Sequence, residues 1–289
     1  MKAPPAKFAL QLAQRLVEER GISALPIDPF AIAQQSGIEV YAKDPGDAGV
    51  SGMLIKSADS FAIAYATHIP SEGFQRFSVA HELGHYFTPG HCTELFKAGV
   101  TVHSSQAGYR SSNKTEREAD EFACGLLMPE RLFVGAARRF DDGLGAVESL
   151  ARMCKTSLVA TAIRFVETAR SPVAAIVSKD GIIEFCFLSK ALLEFPNLEW
   201  PKRGTSVPAG TITARISQDS NAVEGGQRDA EEGELQDWVG GPRSVPILEE
   251  AIGLGRYGRT LTIITSETYA DDLDEEADLV DRWTPKFGR

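Results

Sequence analysis

The five residues His81-Glu82-Leu83-Gly84-His85 constrain this chain more than any other feature of its sequence. They sit inside a run from about Gly73 to Phe87 with helical periodicity, stopped by Thr88-Pro89-Gly90. On a helix, residues four apart project from one face about a turn from each other, so the two imidazoles converge on one point. Two imidazoles so placed suit a tetrahedral metal ion. The helical repeat rotates Glu82 by about 100° from His81. That puts its carboxylate beside the metal, where it can hold a bound water and take its proton. Phe77, Val79, Leu83 and Tyr86 supply an opposite face for burial. A pair of core histidines is the competing reading of so short a motif. The mid-helix position and the acid-rich helix that follows favour the metal.

Two residues compete for the third ligand. His91 lies six positions after His85, the spacing of the last histidine in an HExxHxxGxxH motif, but the glycine which that motif needs is replaced by Thr88. Glu116 is the other candidate. It opens a periodic helix from Thr115 to Leu127, in which Glu116 and Asp120 share a face and Ala119 and Ala123 leave room for close approach. From there Asp120 could accept the outer ring proton of a ligating histidine. The residues alone leave both alternatives open.

Around these helices the chain reads as follows. Phe8, Leu12 and Leu16 mark an amphipathic first helix. Asp28-Pro29 reads as a cap with proline at the first helical position, and Gly37 ends that short helix. Ile38–Tyr41, Gly52–Ile55 and Phe61–Tyr65 read as strands, and Phe61–Tyr65 is expected at a sheet edge. His91 to Lys114 is polar and serine-rich and reads as a loop over the site. A helix with Leu132, Phe133 and Ala136 follows Met128-Pro129, and Gly145 to Ala169 reads as two helices broken near Thr156-Ser157. That pair could read DNA, but a helical buttress is the commoner use of such a hairpin.

After Ser171 the pattern turns to strands. Val173–Val177 and Ile182–Phe187 flank Lys179-Asp180-Gly181 as a hairpin, and Thr211–Ile216 and Thr260–Thr265 read as further strands. An acidic, glycine-rich stretch joins the last two, from Glu224 to Gly241, and Asp271 to Asp281 is acidic enough to be a solvated face or tail. Three regions are expected: 1–140 around the motif, a helical segment over 141–170, and a mixed α/β domain over 171–289.

Composition narrows the class. The 289 residues carry a formal net charge of −10, which argues against broad nucleic-acid binding. No apolar run approaches the roughly 18 residues of a membrane span, and the N-terminus lacks the apolar centre of a secretory signal. The four cysteines, Cys92, Cys124, Cys154 and Cys186, are widely spaced and read as free thiols of a reducing, cytoplasmic compartment.

From Pro26 to Pro129 the chain resembles the ImmA/IrrE family of metallopeptidases. The carrying stretches are Asp28-Pro29, Val50-Ser51-Gly52-Met53-Leu54, Gln75 through His85, and Glu116-Arg117-Glu118-Ala119-Asp120 through Leu126-Leu127-Met128-Pro129. The resemblance implies zinc held by His81, His85 and Glu116, with Glu82 catalytic; manganese also suits such donors. It implies cleavage of a helix-turn-helix repressor that controls stress-response or mobile-element genes. The expected fold is α+β: a zincin-like peptidase domain with a small antiparallel sheet and the HExxH helix, then a helical segment and an α/β C-terminal domain. Phe61, Ala62, Ile63, Ala64 and Tyr65 are the expected substrate-binding strand, and His103 and Tyr109 are candidates to steady the oxyanion. The readings that compete with a peptidase are a DNA-binding regulator and a metal-binding sensor without turnover.

Overall fold

The computed structural model describes residues 7–43, 49–58, 60–106, 113–196, 198–240 and 244–272. Their contacts divide the chain into two compact units, Met1–Arg139 with Ser149–Ala160, and Phe140–Glu148 with Thr161–Arg289.

In the first unit, α1 (Phe8–Glu19) buries Ala9, Leu10, Ala13 and Val17, the helical spacing of one apolar stripe. Then α2 (Pro29–Gln35) starts where the Asp28 carboxylate accepts from the Phe30 N–H at 3.0 Å, with Pro29 at the first turn as expected. The strands β1 (Glu39–Lys43), β2 (Val50–Ser57) and β3 (Ser60–Ala66) lead into α3 (Glu72–Phe87), which carries the motif. Ser71 caps α3 by accepting from the Phe74 N–H, and α3 ends at Thr88, where the chain turns extended ahead of Gly90 (φ 90°).

His91–Lys114 departs from the expected loop. It holds a short helix α4 (His91–Leu95), a 3₁₀ turn (Lys97–Gly99) and a strand β4 (Val102–Gln106). Polar composition hid the strand because, among the described residues, β4 pairs with β2 alone. The sheet runs β1-β3-β2-β4. Phe61–Tyr65 is therefore not an edge: β3 pairs parallel with β1 (Glu39↔Ala62 to Lys43↔Ala66) and antiparallel with β2, so its backbone is engaged on both sides. The edges are β1 and β4, and the one parallel pair makes the sheet mixed rather than antiparallel.

Behind the sheet, α5 (Lys114–Leu127) packs on both α1 and α3. Two glycines set these approaches. A Cβ at Gly84 would lie 2.9 Å from Ala119 Cα, and one at Gly125 would lie 2.6 Å from the Leu10 carbonyl oxygen. On α3, the buried Arg76 donates to the Ile27 carbonyl and ties the helix to the entry of α2. α6 (Glu130–Ala137) follows, burying Phe133 and Ala136. α7 (Leu144–Cys154) and α8 (Leu158–Thr168) break at the expected Thr156-Ser157.

The second unit is built on an antiparallel sheet ordered β6-β5-β9-β8-β7. Strands β5 (Val173–Lys179) and β6 (Ile182–Leu188) form the expected hairpin, with Asp180 (φ 51°) and Gly181 (φ 73°) both in the left-handed region its tight turn requires. Helix α9 (Lys190–Leu193) follows. Thr211–Ile216 is not a strand: it opens α10 (Ile212–Gln218), with Thr211 Oγ1 accepting from the Ala214 N–H at 3.2 Å. Ile212 and Ile216 lie four apart, a spacing that fits one face of a strand or of a helix, and the threonine cap selects the helix. Next come α11 (Ser220–Glu224), β7 (Arg228–Glu234), α12 (Leu235–Val239), β8 (Pro246–Gly253), a 3₁₀ turn (Gly255–Tyr257) and β9 (Arg259–Thr265). The acidic stretch thus contains the exposed edge strand β7, whose charges oppose pairing with another sheet. Leu273 to Asp281 of the acidic tail lie outside the described residues.

The glycine contacts make a paired prediction. Gly84→Ala forces backbone apart and should destabilise the fold by about 1–3 kcal/mol. Gly135→Ala, on α6 with no atom within 4 Å of an added Cβ, should be neutral or slightly stabilising. Denaturant unfolding of the two variants checks the contrast.

Candidate metal centre

The Gly84–Ala119 crossing sets His81 and His85 of α3 against Glu116 and Asp120 of α5. His81 Nε2 lies 3.1 Å from His85 Nε2 and 3.2 Å from Glu116 Oε2, and His85 Nε2 lies 3.4 Å from Glu116 Oε1. A tetrahedral ion with bonds of about 2.0–2.1 Å has ligand–ligand edges of roughly 3.3 Å. The three side chains thus outline one face of such a tetrahedron, and together they form a group that could hold a metal ion. His81 Nδ1 meets Asp120 Oδ1 at 2.8 Å. That contact fixes the ring with Nε2 aimed at the centre. The burial is deep: His85 is wholly enclosed and His81 is 6% exposed.

Glu82 is also fully buried, and its carboxylate oxygens make no well-formed hydrogen bond among the described residues, although the Ser105 hydroxyl approaches them. A Cβ at Gly52 would lie 2.5 Å from Glu82 Oε1, so the β2 backbone presses directly against the carboxylate. Gly52 pairs with Ser105 of β4, whose side chain also reaches Glu82. The strand period puts His103 on the same face as Ser105, and His103 Nε2 lies 3.1 Å from Glu116 Oε1. The structure therefore brings His103 to the centre. Tyr109 lies outside the described residues, and Phe61 stacks edge-on against Tyr86 and Phe96. His91 does not join the ligand group; it is buried with Nε2 3.1 Å from Glu118 Oε2. Gly52 and Ser105 are the contributors that spacing alone misses. A glycine inside a strand is nevertheless a signal of close approach.

The electrostatics follow from this packing. Burial by itself would lower His81, but its bonds to Asp120 and Glu116 prevail and raise it to about 10. Burial, with the charge of His81 nearby, lowers His85 to about 4. Burial opposes charge on Glu116 too, yet hydrogen bonds from His103, His81 and His85 hold it well below the usual carboxylate range. Burial pushes the Glu82 carboxyl up, against the opposing pull of His81.

Residues 33–166 match the M78 peptidase family, described as the IrrE N-terminal-like domain. This part of the chain is similar to that family. No curated protein matches the chain significantly. Among solved structures, a transcriptional regulator of Mycobacterium tuberculosis is similar with a TM-score of 0.58 at 17% identity, over 89% of this chain and 76% of that one. At that identity the likeness is one of fold. The matched residues span α3 and α5, so the three donors, Glu82 and Asp120 all fall among them.

Ligation requires both imidazoles neutral. His85 is neutral above about pH 4, whereas His81 without metal keeps its proton up to about pH 10. Metal binding near neutrality should therefore release one proton, and apparent affinity should rise about tenfold per pH unit between pH 7 and 9. Chelator competition across that range checks it; a flat profile would contradict a protonated His81.

Proposed function

We propose that this chain is a zinc-dependent endopeptidase, with His81, His85 and Glu116 as metal ligands, Asp120 as the orienting partner of His81, and Glu82 as the catalytic base. The observation that carries the reading is the triangle of donors with, beside it, a buried carboxylate that makes no well-formed hydrogen bond among the described residues. Buried polar atoms are seldom left without partners. A carboxylate so placed suits a water on the metal. Manganese is the alternative ion for the same donors.

A zinc ion held there would polarise a scissile carbonyl and acidify its bound water. Glu82 would accept a proton from the attacking water and deliver it to the departing amine. Its raised affinity for protons, due to burial, brings the carboxyl nearer to the operating pH such a base needs. His103, 17% exposed, bonds Glu116 Oε1 through its Nε2 at 3.1 Å; it could donate Nε2–H to the carbonyl oxygen of a substrate only by leaving that bond.

The substrate strand belongs on β4. Lys56 N donates to the Thr101 carbonyl at 2.8 Å, so the antiparallel alternation turns the backbone groups of Val102 and Ser104 away from β2. An extended segment adding there would run past His103. Phe61–Tyr65 is withdrawn from this role, its backbone being engaged on both sides. The partner we favour is a helix-turn-helix repressor in a stress-response or mobile-element setting, cut at an exposed loop. The region after Ser171 would dock it or sense the permitting signal. A cytoplasmic location fits the free cysteines; no helix among the described residues is long and apolar enough to cross a membrane.

A regulator that binds metal without turnover is the second reading, favoured by the name of the mycobacterial structure of similar fold. Direct DNA reading by α7–α8 is weakened by Arg164, a basic residue of that segment, which is buried and paired with Glu167 at 3.3 Å.

Glu82→Gln separates the readings. With zinc and a candidate repressor encoded nearby, the full chain should yield defined fragments by mass spectrometry. Glu82→Gln should bind zinc as before and cut at least about 10³-fold more slowly. Equal cleavage by both proteins would remove Glu82 from the chemistry, and a metal-loaded wild type that never cuts would favour the regulator.

A further inference from the structure

The second ligand histidine has an unpartnered nitrogen. His81 is steered by Asp120, but His85 Nδ1 is buried and without a hydrogen-bond partner among the described residues. The same is true of His91 Nδ1. Both residues are deeply enclosed, His85 at 0% and His91 at 4% exposure, and their ring centroids are 5.4 Å apart. Two orphaned ring nitrogens in neighbouring buried side chains would be costly if each were left alone.

Their tautomers are complementary. A metal on His85 Nε2 leaves the ring proton on Nδ1, which makes that nitrogen a donor. On His91 the Glu118 carboxylate faces Nε2 at 3.1 Å, so Nε2 carries the proton and Nδ1 is left as an acceptor. Lys114 Nζ lies 3.4 Å from the other Glu118 oxygen, so both oxygens of that carboxylate are engaged.

We propose that His91 and Glu118 form an outer relay that positions His85, with His85 Nδ1–H donating to His91 Nδ1 through one bridging water. The inference rests on the metal reading above. Each ligand histidine then has its own orienting carboxylate: Asp120 acts on His81 directly, and Glu118 acts on His85 through His91. All three anchors, Glu116, Glu118 and Asp120, come from the first two turns of α5. His91 is a positioning residue, which also explains why a histidine at this spacing is present without being a ligand.

The test measures zinc affinity of the full chain by competition with a chromophoric chelator, a readout independent of catalysis. His91→Leu should weaken zinc binding about 10- to 100-fold. His91→Asn sets an amide oxygen near the place of Nδ1 and should recover most of that loss. Glu118→Leu should weaken binding severalfold, and the double variant His91→Leu/Glu118→Leu should be no worse than His91→Leu alone, as members of one relay are non-additive. Full affinity in His91→Leu, equal weakness in Leu and Asn, or additive losses would each overturn the relay. If His91→Leu does not fold, His91→Asn and Glu118→Leu decide: an affinity near wild type in the first with loss in the second supports it, and any other pattern rejects it. A wild-type chain that takes up no zinc would instead sink the metal reading itself.

Discussion

The crossing of α3 and α5 at Gly84 and Ala119 is the constraint on which the centre depends. Gly84 directly precedes His85, and Ala119 lies between Glu116 and Asp120, so the point of closest approach sits within a turn of every donor. Packed helices stand about 8–10 Å apart, depending on the side chains between them. With glycine against alanine the separation is at the low end, and the donor atoms on the two helices close to between 3.2 and 3.4 Å. A bulkier residue at either place would part them beyond what one ion could bridge. The same α5 is pinned from its other side by Gly125 against Leu10, so it has little freedom to retreat. Donors fixed this way on two helices are held more precisely than donors on loops.

Within that frame the charges are unbalanced. Glu82, Glu116 and Asp120 surround two imidazoles, and in the protein alone the balance is met partly by a proton on His81. Glu82 gains nothing from it by hydrogen bonding, since neither of its oxygens makes a well-formed hydrogen bond among the described residues. A buried, unpaired carboxylate is among the least favourable groups a fold can enclose. The walls around it are nonetheless tight: Gly52 presses on Oε1, and Ser105 stands on the paired strand. A site that is closely packed yet electrostatically incomplete is one that could hold a metal ion.

The parts legible in sequence are those where periodicity and burial coincide. The α3 motif, the Asp28-Pro29 start of α2 and the Asp180-Gly181 turn all read correctly, because each is a local device with one conformational solution. The Glu116–Asp120 face of α5 reads correctly for the same reason, a carboxylate pair at helical spacing. Strand β4 was hidden because Val102-His103-Ser104-Ser105-Gln106 offers one apolar side chain, its inward positions being given to the site rather than to a core. Strand β8 was not among the expected strands, and the adjacent acids Glu249 and Glu250 break its apolar pattern. Both are buried: Glu249 accepts from Thr213 N and Oγ1 at 2.9 and 2.6 Å, and Glu250 accepts from Leu144 N at 2.6 Å. A buried acid satisfied by distant donors breaks the hydrophobic pattern without breaking the strand. The misplaced sheet edge has a related cause, since pairing order is a long-range property that no local run of residues records.

For the proposed peptidase, β4 joins recognition to chemistry in one element. Its outward backbone groups at Val102 and Ser104 would select for an extended segment whatever its sequence. His103, between them, points to the opposite requirement, a carbonyl held at one register. A peptide that slipped by one residue along β4 would turn its side chains to the wrong face and present a different carbonyl. Register is therefore where selectivity can arise without a deep pocket, through the side chains at alternate positions. The geometry also excludes most folded proteins, because a segment in a helix or an inner strand has no backbone groups to offer. Val100 and Val102, 47% and 44% exposed, give such a segment apolar contact beside the edge. A peptidase with an enclosed base and the β4 edge beside it would thus be restrained by access: what it could cut would be limited first by which partner exposes an extended loop, and only then by the sequence of that loop.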